Sequence, residues 1–269
     1  MSKTIRSILS LLLALIIIFP ILYCFSASLF ARTDFSTSPA RFLPTTVTFS
    51  NYARAFKASN LARFLVNSLI CATVGTFLRM SISLFSAYSL TMFHYKGRYA
   101  LFIIIIATML LPGDALLIQN YVTIQRLGLT DTYLGLISTS LLAPTSIFIL
   151  RQFFLTVSKE YREAAYLEGC SDTRFMVTLL IPMSQSLIVA LTVQSFIQIF
   201  NDYLWPLLVT NSEMMRTVQV GITMLGFSES FDYGPQFAAM ATLMCPMLIL
   251  FIVFRKKIYE GVSTRFSGR

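Results

Sequence analysis

Polar and apolar positions fall into long blocks, not into the short alternation of strands. Six apolar runs stand out: Ile8–Phe30, Phe64–Phe93, Tyr99–Ile118, Tyr133–Phe154, Phe175–Ile199 and Phe237–Phe254. A bilayer core takes about 20 apolar residues of helix, so each run predicts a transmembrane helix. Only Arg79 interrupts the second. The gaps between runs are too short for a soluble domain, the two longest being Ala31–Arg63 and Phe200–Gln236. The pattern predicts an all-α integral membrane protein with six transmembrane helices, residues 1–269 forming one transmembrane domain.

Composition supports this. Apolar residues make up 56% of the 269 positions and charged residues 12%, too few to clothe a water-soluble surface. The net charge of +9 comes without a basic cluster interleaved with aromatics, so no nucleic-acid partner is expected. Cysteines at 24, 71, 170 and 245 form no CxxC pair, which predicts neither a disulfide framework nor a zinc site. Cys24 follows an apolar stretch, as a lipoprotein cysteine would. The bulky Tyr23 before it and the run continuing to Phe30 predict a retained first helix instead.

Lys and Arg concentrate on the cytoplasmic side of a membrane protein. With the N-terminus inside, Lys3, Arg6, Lys96, Arg98, Arg151, Lys159, Arg162, Arg174, Arg255, Lys256, Lys257, Arg265 and Arg269 face the cytoplasm, thirteen in all. Seven face out: Arg32, Arg41, Arg54, Lys57, Arg63, Arg126 and Arg216. Both termini are therefore expected in the cytoplasm. Arg79 stays within the second span, where a charge must face protein or water.

The cytoplasmic loop at residues 155–174, between spans four and five, reads as two short helices. Ser158 suits an N-cap, and Glu160 lies in the first turn, where the helix dipole favours an acid. Gly169 can adopt the left-handed conformation that ends a helix, and Ser171 or Asp172 can cap the next. Ala164 and Ala165 would give a smooth patch against which another surface could pack, with acids at 160, 163 and 168 and Arg162 and Arg174 as polar handles.

Glu163-Ala164-Ala165, three residues, Gly169, nine residues, then Leu179-x-Ile181-Pro182 reproduces the spacing of the EAA loop of ABC importer permeases. Further stretches resemble the sugar-type permease family related to the smaller maltose-permease subunit: Asn67-Ser68-Leu69, Leu111-Pro112, Arg126-Leu127-Gly128-Leu129-x-Asp131-Thr132, Phe148-x-x-Arg151-Gln152-Phe153-Phe154, Asn201–Leu207 and Thr217-Val218-x-Val220-Gly221. The resemblance covers essentially the whole chain and extends to glycerol-3-phosphate permeases of the same family.

The resemblance implies a permease subunit in a prokaryotic inner membrane, surrounded by lipid and importing a sugar, an oligosaccharide or glycerol 3-phosphate. It implies a second permease subunit, a cytoplasmic ABC ATPase dimer and an external solute-binding protein as partners. Glu163, Ala164, Ala165, Gly169, Arg162 and Pro182 would then couple to the ATPase. The chain has no GxxxxGK[ST] loop, so no cofactor is expected in it, and ATP with Mg would bind the partner ATPase.

Gln194, Gln198 and Asn201 follow helical spacing in the fifth span, with Asp202 and Tyr203 at its outer end. Sugars are held by amides, carboxylates and aromatic faces, so these five are candidate pathway residues; the alternative use of such amides is bonding to neighbouring helices. Arg79 is a further candidate, able to pair with an anionic solute or equally with a neighbouring helix. Trp205 suits an external-interface anchor. An enzyme would need an acid–base or metal constellation, which one histidine and scattered cysteines do not supply. An ion-coupled carrier would show several mid-membrane ionisable residues and repeated halves, and neither is evident.

Overall fold

Long runs of Leu, Ile, Phe and Val become helices here, and the breaks inside the apolar runs lie at Pro112, Pro144 and the Pro182–Ser184 stretch. The computed structural model of the chain describes residues 3–36, 41–58, 60–225 and 233–263; Arg265 and Arg269 of the charge asymmetry lie outside them.

In chain order, α1 (Lys3–Ala27) runs continuously through Pro20. A polar segment containing α2 (Ser50–Ala58) leads to the 32-residue α3 (Leu61–Met92). Then come α4 (Arg98–Ala107), α5 (Leu117–Arg126), α6 (Tyr133–Ser138) and α7 (Pro144–Thr156). The short α8 (Lys159–Leu167) and α9 (Asp172–Phe175) follow, then a π-helical turn over Met176–Leu180, α10 (Ile181–Met183) and α11 (Gln185–Phe200). The chain continues through α12 (Leu204–Val209), α13 (Val218–Leu225) and α14 (Tyr233–Ser263). No strand occurs among the described residues.

Among the described residues three helices are long and apolar enough to cross a membrane: Thr4–Ala27, Leu61–Met92 and Tyr233–Lys257. The apolar runs expected as the third, fourth and fifth spans are each interrupted. Leu111 precedes Pro112 and is extended (φ −84°, ψ 121°), which closes the helix begun by α4. Ala143 precedes Pro144 and is likewise non-helical, so α7 starts afresh with the proline in its first turn. In the fifth run the segments Asp172–Met183 and Gln185–Phe200 meet at 83°. Pro182 has no N–H to give, the Ile181 N–H reaches back five residues to Met176 O, and the buried Ser184 hydroxyl bonds Leu180 O at 2.6 Å. The backbone is bent there because its ordinary hydrogen-bond ladder is broken.

The chain divides into two compact units. One comprises Met1–Val66 with Arg216–Ile249. Its polar segment is tied down by Asn51, fully buried, whose amide donates to Ser28 O and Phe30 O, both at 2.8 Å. The Asp34 carboxylate accepts from the Thr45 hydroxyl and from the backbone N–H groups of Ala31 and Thr45, which holds its carboxyl below the usual range. Gly221 lies against the Phe64 ring, where a Cβ would come within 2.1 Å of a ring carbon. Most of α1 exposes Leu, Ile and Phe outward, an apolar surface suited to lipid.

The other unit comprises Asn67–Met215 with Leu250–Arg269. One core cluster gathers Tyr88, Met92, Leu150, Phe154, Phe175 and Leu180 beneath α8. Another gathers Cys71, Ile124, Leu136, Ile137, Trp205 and Val209. The Arg126–Thr132 stretch is the joint that closes it. Asp131 adopts φ 57°, and its Oδ1 accepts from Asn211 and Ser212 N–H at 2.8 Å each. Thr132 caps α6 by accepting from Gly135 N–H at 3.0 Å. Asn67 is buried between Met214 O and the Tyr133 hydroxyl, 2.8 Å from each. Trp205, expected as an interface anchor, is instead a core residue, 4% exposed, donating from Nε1 to Gly135 O at 3.0 Å. Its indole N–H had a carbonyl to satisfy it inside the fold.

Candidate functional sites

The α8–α9 segment forms as the sequence predicts. The Ser158 hydroxyl accepts from Glu160 N–H and the Ser171 hydroxyl from Arg174 N–H, so each helix has its own N-cap. Between them Gly169 sits at φ 75°; its N–H bonds Tyr166 O and Cys170 N–H bonds Ala165 O, both at 2.9 Å. These paired bonds satisfy the last carbonyls of α8 and reverse the chain.

The two alanines divide. Ala165 is buried in the core cluster with Phe154 and Phe175, whereas Ala164 is exposed. The outer face of α8 therefore carries Glu160, Glu163, Ala164 and Leu167, the last 90% exposed. Ala165 keeps the helix close to the body instead of joining the outer patch.

Arg162 turns inward. Its Nη1 donates to Met92 O at 2.6 Å, the last residue of α3. Its Nε and Nη2 donate to the Tyr166 hydroxyl at 3.0 and 2.8 Å. The Tyr166 hydroxyl donates in turn to Asp172 Oδ1, which also pairs with Arg162 at 3.4 Å and lies 3.0 Å from the Tyr88 hydroxyl. The Tyr166 and Tyr88 hydrogen bonds, with the Arg162 charge, hold the Asp172 carboxyl below its usual range. This network was not foreseen from the sequence. Its one local signal is the four-residue spacing of Arg162 and Tyr166, which puts both on one helical face.

Next to the network, Thr91, His94, Arg98, Ser158, Arg162 and Glu163 help line a cleft of about 450 Å³. Pro182 lies apart from these groups, at the start of α10, where it shapes the 83° bend.

The proposed pathway residues fall into two groups. Gln194 and Gln198 are exposed on α11, and Arg79 of α3 donates from Nη1 to Gln198 Oε1 at 2.9 Å. Gly75, one turn before Arg79, permits this approach: a Cβ there would lie 3.1 Å from Ile199 Cδ1. Asn201, Asp202 and Tyr203 instead line a cleft of about 380 Å³ with Asn120, Thr139 and Gly113. Asn120 escaped the sequence reading because nothing in its neighbourhood of the chain points to residues eighty positions away. Among the described residues no group of His, Cys, Asp and Glu has the arrangement of a metal site.

An all-helical chain with membrane-length apolar helices and a short, firmly held helix–turn–helix with a bare outer face is built as a membrane transport component. The chain belongs to the family described as "Binding-protein-dependent transport system inner membrane component", which it matches over residues 79–262. It is similar to the sn-glycerol-3-phosphate transport system permease protein UgpE of Rhizobium meliloti, 35% identical over 80% of this chain and 79% of that protein. The UgpE of Agrobacterium fabrum is 32% identical over 97% of this chain and 96% of the relative. The diacetylchitobiose uptake system permease protein NgcG of Streptomyces coelicolor is 27% identical over 94% of this chain and 85% of that protein. In fold, the chain matches a chain of the crystal structure of a bacterial ABC transporter involved in the import of the acidic polysaccharide alginate, with TM-score 0.85, 22% identity, and coverage of 96% of this chain and 99% of the other. The protein is thus an inner-membrane ABC permease component and not an enzyme; its transport system depends on a binding protein and on a separate ATPase.

Proposed function

We propose that this chain is one of two permease subunits that together enclose the path of an imported sugar, oligosaccharide or sn-glycerol 3-phosphate. It crosses the membrane six times with both termini in the cytoplasm, at about residues 8–30, 64–93, 99–118, 133–154, 175–199 and 237–254, the third to fifth crossings being broken helices. Residues 1–269 act as one transmembrane domain. The helix α8 docks in a cleft of the cytoplasmic ATPase dimer, which binds ATP and Mg, and passes that enzyme's motion to the helices it joins. Gln194, Gln198, Asn201, Asp202, Tyr203 and Arg79 face the solute.

The observation that carries this reading is the asymmetry of α8. Its inner face is fixed by Ala165 and by Arg162, while Glu163, Ala164 and Leu167 are left outward with a capped turn at Gly169 behind them. A rigid lever needs a held side and a free side. The solute class rests on the amide stripe, since amides and carboxylates bind hydroxyl groups, and on what the similar permeases transport.

Reversal of charge at Glu163 tests the docking role. Glu163→Lys is expected to insert and fold normally, because the side chain is exposed, yet to lose co-purification of the ATPase and solute-stimulated ATP hydrolysis. Wild-type docking and stimulation in that variant would remove α8 as the coupling element. Robust uptake by the chain reconstituted alone would overturn the two-permease, ATP-driven reading itself.

A further inference from the structure

Arg79 sits in the middle of the 32-residue α3, in a stretch whose composition suits the membrane interior. A guanidinium there cannot face lipid without a large cost, so it faces protein or water. It carries five N–H donors in a planar fork. One donates to Gln198 Oε1 at 2.9 Å. No carboxylate lies within ion-pair distance of it among the described residues. Its Nε is buried without a partner, and so is the Thr76 hydroxyl three residues earlier on the same helical face. Buried polar atoms left unpaired are uncommon and call for something to satisfy them.

The chemistry of the contact matters. A structural arginine inside a membrane protein pairs with an acid or with backbone carbonyls. Gln198 is an amide: it steadies the fork and leaves the positive charge uncancelled. Gln194, one turn along α11, is exposed and adds hydrogen-bonding capacity beside the charge. Gly75 leaves room for α11 to lie close enough for the pairing to occur. A half-buried, uncancelled guanidinium with a preset orientation favours a bidentate oxyanion. A single such group, rather than a cluster, holds an anion weakly enough to release it to the next site.

We infer that Arg79, oriented by Gln198, recognises an oxyanion on the transported solute, a phosphate monoester or a carboxylate, so that this permease passes phosphorylated polyols or uronates in preference to neutral sugars. The inference rests on the reading that these residues face the solute path.

The test uses the complete importer in proteoliposomes, with both permeases, the ATPase and the binding protein. Uptake is measured for sn-glycerol 3-phosphate, for glucuronate and for a neutral disaccharide, and ATPase co-purification is recorded alongside. At least one anion is expected to be taken up more than the disaccharide; which anion it is separates the phosphate from the carboxylate source. Arg79→Gln should lower that uptake by at least about tenfold, the loss expected for a hydrogen bond to a charged group, and Arg79→Lys should restore part of it. The sharpest variant is Gln198→Glu. Its carboxylate would pair with Arg79 better than the amide does, so a packing role predicts full function, whereas cancelling the charge should abolish anion uptake while the ATPase still co-purifies. Uptake of the disaccharide alone, uptake of none of the three by an ATP-hydrolysing complex, or wild-type anion uptake by Gln198→Glu each overturns the inference and leaves the importer reading standing. Failure of the wild-type chain to assemble with an ATPase overturns both.

Discussion

Arg162 of α8 donates to the carbonyl oxygen of Met92 at 2.6 Å, so the docking helix is fastened to the last turn of α3. The geometry is favourable twice over: the carbonyl at a helix end lacks an intrahelical partner, and a cation is stabilised at the negative end of the helix dipole. Removing the guanidinium leaves that carbonyl unpaired and frees the Tyr166 hydroxyl and Asp172. Arg162→Ala is expected to destabilise the junction by about 1.5–3 kcal/mol, the range for hydrogen bonds to charged groups. Thermal unfolding of the detergent-purified chain should show the loss. In the assembled importer, ATP hydrolysis should persist with diminished coupling to transport; unchanged coupling would mean that the tether transmits nothing.

Gly169 offers a separate test of the same lever. Its φ of 75° lies in the left-handed region, yet a Cβ there would meet nothing within 4 Å. The cost of substitution is therefore conformational and not steric. Gly169→Val should cost about 1–2 kcal/mol locally, while Gly169→Asn, which tolerates this conformation, should cost much less. ATPase co-purification is expected to follow the same order. Equal behaviour of the two variants would show that the turn geometry does not matter.

Much of this region could be read directly because its determinants are local. Ser158, Gly169 and Ser171 act on N–H and C=O groups within four residues of themselves, and sequence spacing reports such contacts. What stayed hidden depends on partners far along the chain. Arg162 finds Met92 seventy positions away, and Trp205 finds Gly135 at the same separation. The adjacent Ala164 and Ala165 differ only in which side of a nine-residue helix they occupy, and that is decided by the tertiary packing. Apolar content alone marked the fifth run as one helix, since Pro182 is compatible both with a gentle kink and with an 83° turn. The self-bonded, buried Ser184 and the π-helical turn resolve it, and neither has a sequence signature.

Asp172 should not make this protein sensitive to physiological pH. Its carboxyl is held below the usual range by the hydrogen bond from Tyr166, then by that from Tyr88 and by the Arg162 charge. A lowered folded-state value means that its contribution is complete above the unfolded value near 3.9 and is lost only as pH falls through the lower folded one. Stability measured from pH 8 to pH 5 should therefore be the same for the wild type and for Asp172→Asn in its dependence on pH, although Asp172→Asn should be less stable throughout. A wild-type transition between pH 5 and 8 that disappears in Asp172→Asn would contradict the assignment.

The Arg126–Thr132 joint predicts a steric failure elsewhere in the chain. At Gly135 a Cβ would lie 2.1 Å from Leu129 O, a backbone atom that cannot swing aside like a flexible side chain. The carbonyl of Gly135 also receives the Trp205 indole N–H. Gly135→Ala should therefore displace α6 and disturb the buried Trp205 together. The expected cost is several kcal/mol, at the high end of single substitutions, with reduced expression and altered tryptophan fluorescence. Since Trp205 is the sole tryptophan, that emission reports on this joint alone. Normal yield and an unshifted spectrum would show that the helix start adapts cheaply.

Cysteine chemistry tests the proposed topology without any mutation. Cys24 and Cys71 are buried, Cys170 is partly exposed in the turn after α8, and Cys245 is exposed within the apolar α14. A membrane-impermeant thiol reagent needs water to reach its target, so a cysteine on the apolar face of a spanning helix is shielded by lipid. With the charge asymmetry placing the α8–α9 turn in the cytoplasm, inside-out vesicles containing the chain alone should be modified at Cys170, and intact cells should not. The site is read by peptide mass. Co-expression with the ATPase should reduce the modification, because the docked partner covers the turn. Modification of Cys170 in intact cells would invert the proposed topology and with it the assignment of α8 to a cytoplasmic partner.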